Sequence, residues 1–557
     1  MERLLQRVAT IVLSLPCSEG RRALSRRLAF ALSATISVAL SSGCADLPPG
    51  ADFPRVASVA LLHPEETRLG GQFANAAREH GGTSGFRIVT VGVDGFLSRV
   101  QMINAAERTL DVQYFIFRGD ETGRLITGAL LRAADRGVHV RILIDDGDTV
   151  AGDEQILALD GHPSVEIRIF NPFAYRGHVN LLRGVEFLFN WRRLDYRMHN
   201  KLLIADNAVA LIGGRNIGNQ YFQMDPESQF ADDDVFTAGP VVQKLSKTFE
   251  EFWNSKLSIP AAALGGGGHS ASALARHRQH ARGSRPMQAL DSAGIDYAAM
   301  IKTDEPYAGM ISGRLPLVWA NAQVVCDSPD KKDVENGVQR GHLMARPVTK
   351  AAALVHTELL MVTPYFIPAD DEMQLLETLL RQNARVAILT NSLESAPGLL
   401  AQAGYVHYRR PVLERGADLY EIRSLLGSQR GSGQTARISR FGHYALHAKL
   451  FVFDRERIFI GSMNYDERSK RLNTEVGLII DSTELAQQVA TRFEGMTRPE
   501  NAYVLSLRSG NTRTSRTIVW DTVEQGNPME YTQEPARSWW QRLTVRLLAL
   551  LPVRSEL

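Results

Sequence analysis

The chain has 557 residues, 44% of them hydrophobic and 22% charged, which is ordinary globular composition and too long for a single core. A formal net charge of +2 supplies no global field of the kind that marks a nucleic-acid binder. Three cysteines, Cys17, Cys44 and Cys326, exclude a disulfide framework, and Cys326, between apolar residues and a turn, reads as a buried core thiol.

From the N-terminus, Arg21, Arg22, Arg26 and Arg27 precede an apolar run from Leu28 to Leu40 and the small residues Ser41-Ser42-Gly43. The run is shorter than the ~20 residues that cross a bilayer as a helix, so residues 1–44 predict an export signal. Cys44 then stands as the lipidation candidate of a lipoprotein-type signal, although Ser41 occupies the place where such signals usually carry leucine. An uncleaved signal anchor is the alternative. No later segment has the roughly 18 unbroken apolar residues of a membrane span.

After an N-terminal extension over 45–84, the first half is expected over 85–262. Leu110 to Phe117 reads as a strand, the pattern of Leu125, Leu130 and Leu131 up to Gly137 as a helix, and Val138 to Ile144 as a second strand. This β-α-β order implies parallel pairing. Residues 263–300 form a linker with four consecutive glycines followed by Arg276, Arg278, Arg282, Arg285 and three histidines. A solvated loop is the plain reading; phosphate headgroup contact and metal binding are alternatives. The β-α-β order returns in a second half over 301–500: strand Leu359 to Ile367, helix Met373 to Arg381, strand Val386 to Thr390. The extension 501–557 ends in Trp539, Trp540 and leucines at helical spacing with Arg537, Arg542 and Arg546, fit either for a membrane interface or for docking on its own domain.

A motif repeats in the two halves. His199-Asn-Lys201, Asp206 and Gly213-Gly214-Arg215-Asn216 match His447-Ala-Lys449, Asp454 and Gly461-Ser462-Met463-Asn464, with the asparagine 17 residues after the histidine in each. Histidine and lysine two apart on a strand share a face. Asp206-Asn207 is a turn signal, so a hairpin centred near 207 returns Asn216 beside His199, and one near 455 returns Asn464 beside His447. Gly213, Gly214 and Gly461 would let the returning backbone approach a phosphate. Lysines on a buried face need an anion, and phosphate suits them. Zinc is disfavoured, since no cysteine or third histidine joins the set. Asp206 and Asp454 belong to the repeated motif and so to the catalytic set, yet lie on the order of 17 Å beyond the lysines along an extended strand, which favours a turn-holding role. Each imidazole needs an acceptor that sets its tautomer. Asp232, Asp234 and Glu475, after the hairpins, are the candidates; a solvated acidic loop is the alternative for the aspartates.

With Leu110-Asp-Val-Gln-Tyr, Phe170-Asn-Pro-Phe, Arg197-Met-His-Asn-Lys201, Gly213-Gly-Arg-Asn-Ile-Gly218, Leu315-Pro-Leu-Val-Trp319, Leu389-Thr-Asn-Ser-Leu393 and Leu446-His-Ala-Lys449, the chain resembles the phospholipase D superfamily from about Leu61 onward. Within it, the chain is similar to bacterial cardiolipin synthases of the C-type branch, without transmembrane helices. The resemblance implies two α/β/α sandwich halves about a pseudo-twofold, both motifs facing one site, and phosphodiester exchange with no metal or other cofactor. It also implies His199 as nucleophile, His447 as acid and base, and Lys201, Lys449, Asn216 and Asn464 on the phosphoryl oxygens, with Gly214 and Ser462 lining the substrate. The expected partners are phospholipids and a membrane surface, not nucleic acid, and the active unit is a monomer in the bacterial envelope. A hydrolytic phospholipase D and a nuclease are the competing activities; the motifs alone do not separate transfer from hydrolysis.

Overall fold

The computed structural model describes residues 47–147, 158–177, 180–225, 228–264, 316–424, 443–509 and 516–551, with isolated positions between 272 and 314. The expected signal, Cys44 and most of the 263–300 linker lie outside the described residues.

Both β-α-β units form as the pattern predicts. Thr109–Tyr114 pairs parallel with His139–Asp145 across helix Glu121–Asp135, and Glu358–Val362 pairs parallel with Arg385–Asn391 across Asp370–Arg381. The predicted strand 359–367 breaks at Thr363 and resumes as the short Phe366–Ile367.

Each motif folds as a hairpin beside its parallel unit. Lys201–Ala205 returns as Val209–Gly213, and Leu450–Phe453 returns as Arg457–Gly461, with the expected centres at 207 and 455. The turn residues Asp206, Asn207, Asp454 and Arg455 have φ between 49° and 55°, the left-handed region. Aspartate and asparagine enter that region more readily than most residues, so the turn signal was well placed.

The pairings run without a gap from one half to the other in an 18-stranded sheet. The seam is the antiparallel contact of Ser84–Val89 with Val318–Cys326, through Ser84–Ala320, Gly85–Trp319 and Phe86–Val318. Ala502–Ser509, Arg516–Glu524 and Asn527–Tyr531, from the expected C-terminal extension, continue the same sheet beyond Asp418–Ile422. Strand residues alternate between cores: Leu450 and Val452 face one, Phe451 and Phe453 another.

Helices cover both faces. Gly92–Ala105 and Glu121–Asp135 lie on the outer face of the first half, and Ala345–Ala353, Asp370–Arg381 and Leu399–Glu414 on that of the second. Pro240–Trp253 and Thr483–Met496 share a single inner core, where Phe249 and Phe252 join Leu485, Val489 and Phe493. The expected two-half α/β/α architecture is therefore present, with its inner layer common to both halves. Cys326 packs against this inner core as a free thiol, pushed up to about 11 by burial.

Helix Trp539–Leu548 docks on its own domain through one side. Val545 is buried with Leu393 and Ala403, while Trp539 and Trp540 stack on each other in solvent. Among the described residues, no helix is long and apolar enough to cross a membrane.

The hairpin turns assign the motif aspartates. Asp206 accepts the amides of Glu107, Arg108 and Thr109 at 2.8–2.9 Å, and Asp454 those of His356, Thr357 and Glu358. They tie each hairpin to the loop before the neighbouring strand and do not belong to the catalytic set. Asp206→Ala is expected to destabilise the fold by roughly 2–3 kcal/mol, since three amides lose a buried charged acceptor. The half-buried Asp454 should cost less on replacement, and denaturant unfolding of the two variants measures the difference.

Candidate active site

The two motif histidines sit at a crossing of chains from opposite halves. The amide of His199 donates to the carbonyl of Thr474 at 2.9 Å, and the amide of His447 to that of Ala231 at 2.7 Å. Met198 and Thr474 form a parallel bridge; His443–Leu446 runs parallel to Ser228–Ala231. The residue after each acceptor strand position, Glu475 or Asp232, is thereby aimed at the other half's imidazole.

His199 Nδ1 lies 2.9 Å from Glu475 Oε2, and His447 Nδ1 lies 2.5 Å from Asp232 Oδ2. Both carboxyl groups are fully buried, and the histidines are 6% and 8% exposed. Two of the three acceptor candidates therefore hold, each serving the opposite half. Asp234 does not: it pairs with Arg99 at 2.9 Å and Arg215 at 3.2 Å. Successive residues of an extended chain point to opposite sides, and Asp233 takes a third partner, Arg492.

The lysines share the site. Lys201 Nζ donates to the carbonyl of His199 at 2.6 Å, Lys449 Nζ donates to that of His447, and Lys449 Nζ also lies 3.0 Å from His447 Nδ1. Burial lowers Lys201 well below the ordinary lysine range and brings Lys449 to about 8. Burial and then both lysines lower His199; burial and then Lys449 bring His447 to about 3, against the opposing pull of Asp232. Each histidine thus feels the lysine of both halves, and the desolvated lysines would be relieved by an anion between them.

The two carboxyl groups differ. Burial pushes Glu475 up to about 7. Burial would also raise Asp232, but His447, Lys449 and Arg215 outweigh it and hold the group below its ordinary value. The residues in register explain how each fits. Asp232 Oδ1 occupies the space a Cβ would take at Gly214, and at the equivalent Ser462 the hydroxyl donates to Glu475 Oε2 at 2.5 Å while accepting the Val476 amide at 3.0 Å.

This corrects the expected substrate contacts. Gly214 makes room for a carboxylate and Ser462 positions one. Gly213 and Gly461 meet backbone of Asp233, Val476 and Gly477. The missing Cβ atoms admit protein where phosphate was expected. Asn216 also turns inward, accepting the Ile116 amide at 3.1 Å and donating to the Tyr221 hydroxyl at 2.9 Å. Asn464 Oδ1 is buried with no hydrogen-bond partner.

Several neighbours escaped the sequence reading. Phe115 packs edge-on against His199 with ring centroids 5.0 Å apart, and Tyr221 and Phe230 each stand 5.3 Å from His447. Asp145 accepts the Met198 amide at 2.8 Å, and Asp327 accepts the Glu475 amide at 3.0 Å. Arg468 of the second half binds Asp195 of the first at 2.7 Å. Asp145 ends a strand and Asp327 directly follows one, the one signal that could have singled them out. Among the described residues no group of three or more histidine, cysteine or acidic residues is placed to hold a metal.

The family model described as "Cardiolipin synthase, PLD-like domain" matches residues 100–253 and 350–497, one stretch in each half. The chain belongs to this family. It is 34% identical to Cardiolipin synthase C of Escherichia coli (strain K12) over 87% of this chain and 99% of that one. An uncharacterized protein of Helicobacter pylori (strain ATCC 700392 / 26695) is 29% identical over 90% and 95%. Major cardiolipin synthase ClsA of Bacillus subtilis (strain 168) is 24% identical over 73% and 67%. Family membership and the paired histidines make the chain a phosphatidyltransferase of the phospholipase D type.

Asp232→Asn should lower kcat by on the order of 10³ or more, as removal of a histidine's carboxylate does in other catalytic pairs. Gly214→Ala should lower it comparably although it deletes no polar group, because the new methyl displaces Asp232. Ser462→Ala removes two hydrogen bonds, one of them to Glu475, and should cost about tenfold. Steady-state kinetics on the three variants checks the ranking; wild-type kcat in Gly214→Ala would exclude a need for Asp232 at its present position.

Proposed function

We propose that this chain moves a phosphatidyl group onto a hydroxyl of phosphatidylglycerol, forming cardiolipin through a covalent phosphohistidine. The observation that carries this reading is the reciprocal pair of His–carboxyl contacts beside two buried lysines. With Nδ1 engaged, Nε2 is the reacting nitrogen of each ring. One Nε2 attacks the phosphorus of the donor lipid; its P–O bond breaks as the other imidazole protonates the departing headgroup alcohol. That second imidazole then deprotonates the incoming hydroxyl, which displaces the first histidine from phosphorus. Lys201 and Lys449 balance charge on the phosphoryl oxygens.

The unequal carboxyl groups support His199 as nucleophile and His447 as acid. Asp232 stays ionised and stabilises an imidazolium on His447, whereas Glu475 near 7 does so less. Phosphatidylethanolamine and a second phosphatidylglycerol are the two candidate donors. One chain carries both histidines, so a monomer suffices. The signal reading of residues 1–44 and the exposed Trp539 and Trp540 support a lipid-anchored enzyme on the periplasmic face of a membrane.

Incubation with phosphatidylglycerol, with and without phosphatidylethanolamine, should yield cardiolipin; phosphatidic acid alone would replace transfer by hydrolysis. Labelled donor should leave acid-labile label on the protein, and label retained after His199→Ala would reverse the histidine roles. An anionic phosphodiester between the lysines offsets their effect on His447 and raises its pKa from about 3. Binding of a non-reacting phosphonate lipid should therefore take up protons and strengthen as pH falls. Calorimetry in buffers of different ionisation enthalpy reads the uptake; proton release would contradict it.

A further inference from the structure

Helix Asn180–Phe189 is built inside out. Surface helices normally turn their apolar stripe to the core, but here Leu181, Leu182, Val185, Leu188 and Phe189 all face solvent, with Leu181 75% and Leu188 61% exposed. Their spacing puts them on one side. The opposite side holds the helix by polar contacts: Arg183 donates to the carbonyl of Asp146 at 2.7 Å, and Glu186 accepts the amides of Ala174 and Tyr175 at 2.7 and 2.8 Å. Five large apolar side chains on ten residues exceed the scattered exposure usual for a soluble surface.

The mounting leads directly to the site. Asp145 ends strand His139–Asp145 and Asp146 follows it; Asp145 holds the Met198 amide next to His199, while Asp146 takes the Phe173 amide at 2.7 Å and pairs with Arg176 at 2.6 Å. Acidic groups of the segment turn inward, Glu186 to backbone and Asp195 to Arg468. Arg192, just beyond the helix, is exposed and carries its charge outward.

We propose that this helix lies in the headgroup region of an anionic phospholipid bilayer, its five apolar side chains in the acyl boundary, and presents the lipid layer to His199. Such helices settle roughly 5–10 Å into the interface. An exposed arginine beside an apolar face matches anionic lipid better than a second copy carrying the same arginine. A buried reaction centre also requires the lipid to be lifted from its layer. The inference rests on the phospholipid reading above.

Full-length protein and a Leu181→Gln/Leu188→Gln variant are sedimented with vesicles of phosphatidylethanolamine and phosphatidylglycerol, without turnover. Partition should fall about tenfold or more when two leucines no longer leave water, while hydrolysis of a water-soluble phosphodiester stays as in the wild type. Leu188→Trp, which keeps the face apolar, should retain binding. Partition of the double variant within twofold of wild type overturns the proposal. So does a wild-type dimer by size exclusion that the double variant abolishes, which would assign the face to a second copy. Lost partition in a protein that makes no cardiolipin would refute the reaction while leaving the docking face standing.

Discussion

Each catalytic imidazole depends on a carboxyl group that belongs to the other half. A buried histidine beside two buried lysines is electrostatically costly, and its Nδ1 needs an acceptor that fixes the tautomer. Glu475 and Asp232 supply those acceptors across the seam, and the parallel contacts of Met198 with Thr474 and Leu446 with Ala231 aim them. Asp195 with Arg468 and Asp233 with Arg492 repeat the crossing farther out. The continuous sheet and shared inner core keep these crossings in register. Neither half holds a complete histidine pair.

The repeat is nearly symmetric in backbone and unequal in chemistry. A short carboxylate against a glycine remains charged, whereas a longer one supported by a serine hydroxyl moves toward neutrality. The difference turns on the pairs Gly214 with Asp232 and Ser462 with Glu475, which occupy equivalent places in the ladder. Two copies of one hairpin can thus hold carboxyl groups in different protonation regimes without any change of fold.

Much of this was legible in the sequence, because it is local. The hairpin centres follow from Asp206-Asn207 and Asp454-Arg455, the parallel units from the β-α-β pattern, and the removal of the motif aspartates from the centre from strand length alone. What was not legible is which atom fills a space. A glycine in a motif leaves room equally for phosphate or carboxylate, and only the position of Asp232 decides between them. Asp232, Asp233 and Asp234 are alike in sequence, yet His447, Arg492 and Arg99 reach them from distant parts of the chain. The inverted helix at 180–189 shows an ordinary amphipathic pattern; its orientation depends on Asp146, more than thirty residues earlier.

The seam strand Ser84–Val89 has a further meaning during synthesis. It is made early, but one of its two neighbours, Val318–Cys326, emerges more than two hundred residues later. Until then the nascent first half presents an unpaired sheet edge and an uncovered apolar layer, the features that invite aggregation. A ribosome-bound or truncated first half therefore lacks His447 and the Glu475 acceptor of His199. Catalytic latency during biogenesis comes from chain order itself, with no inhibitory segment required.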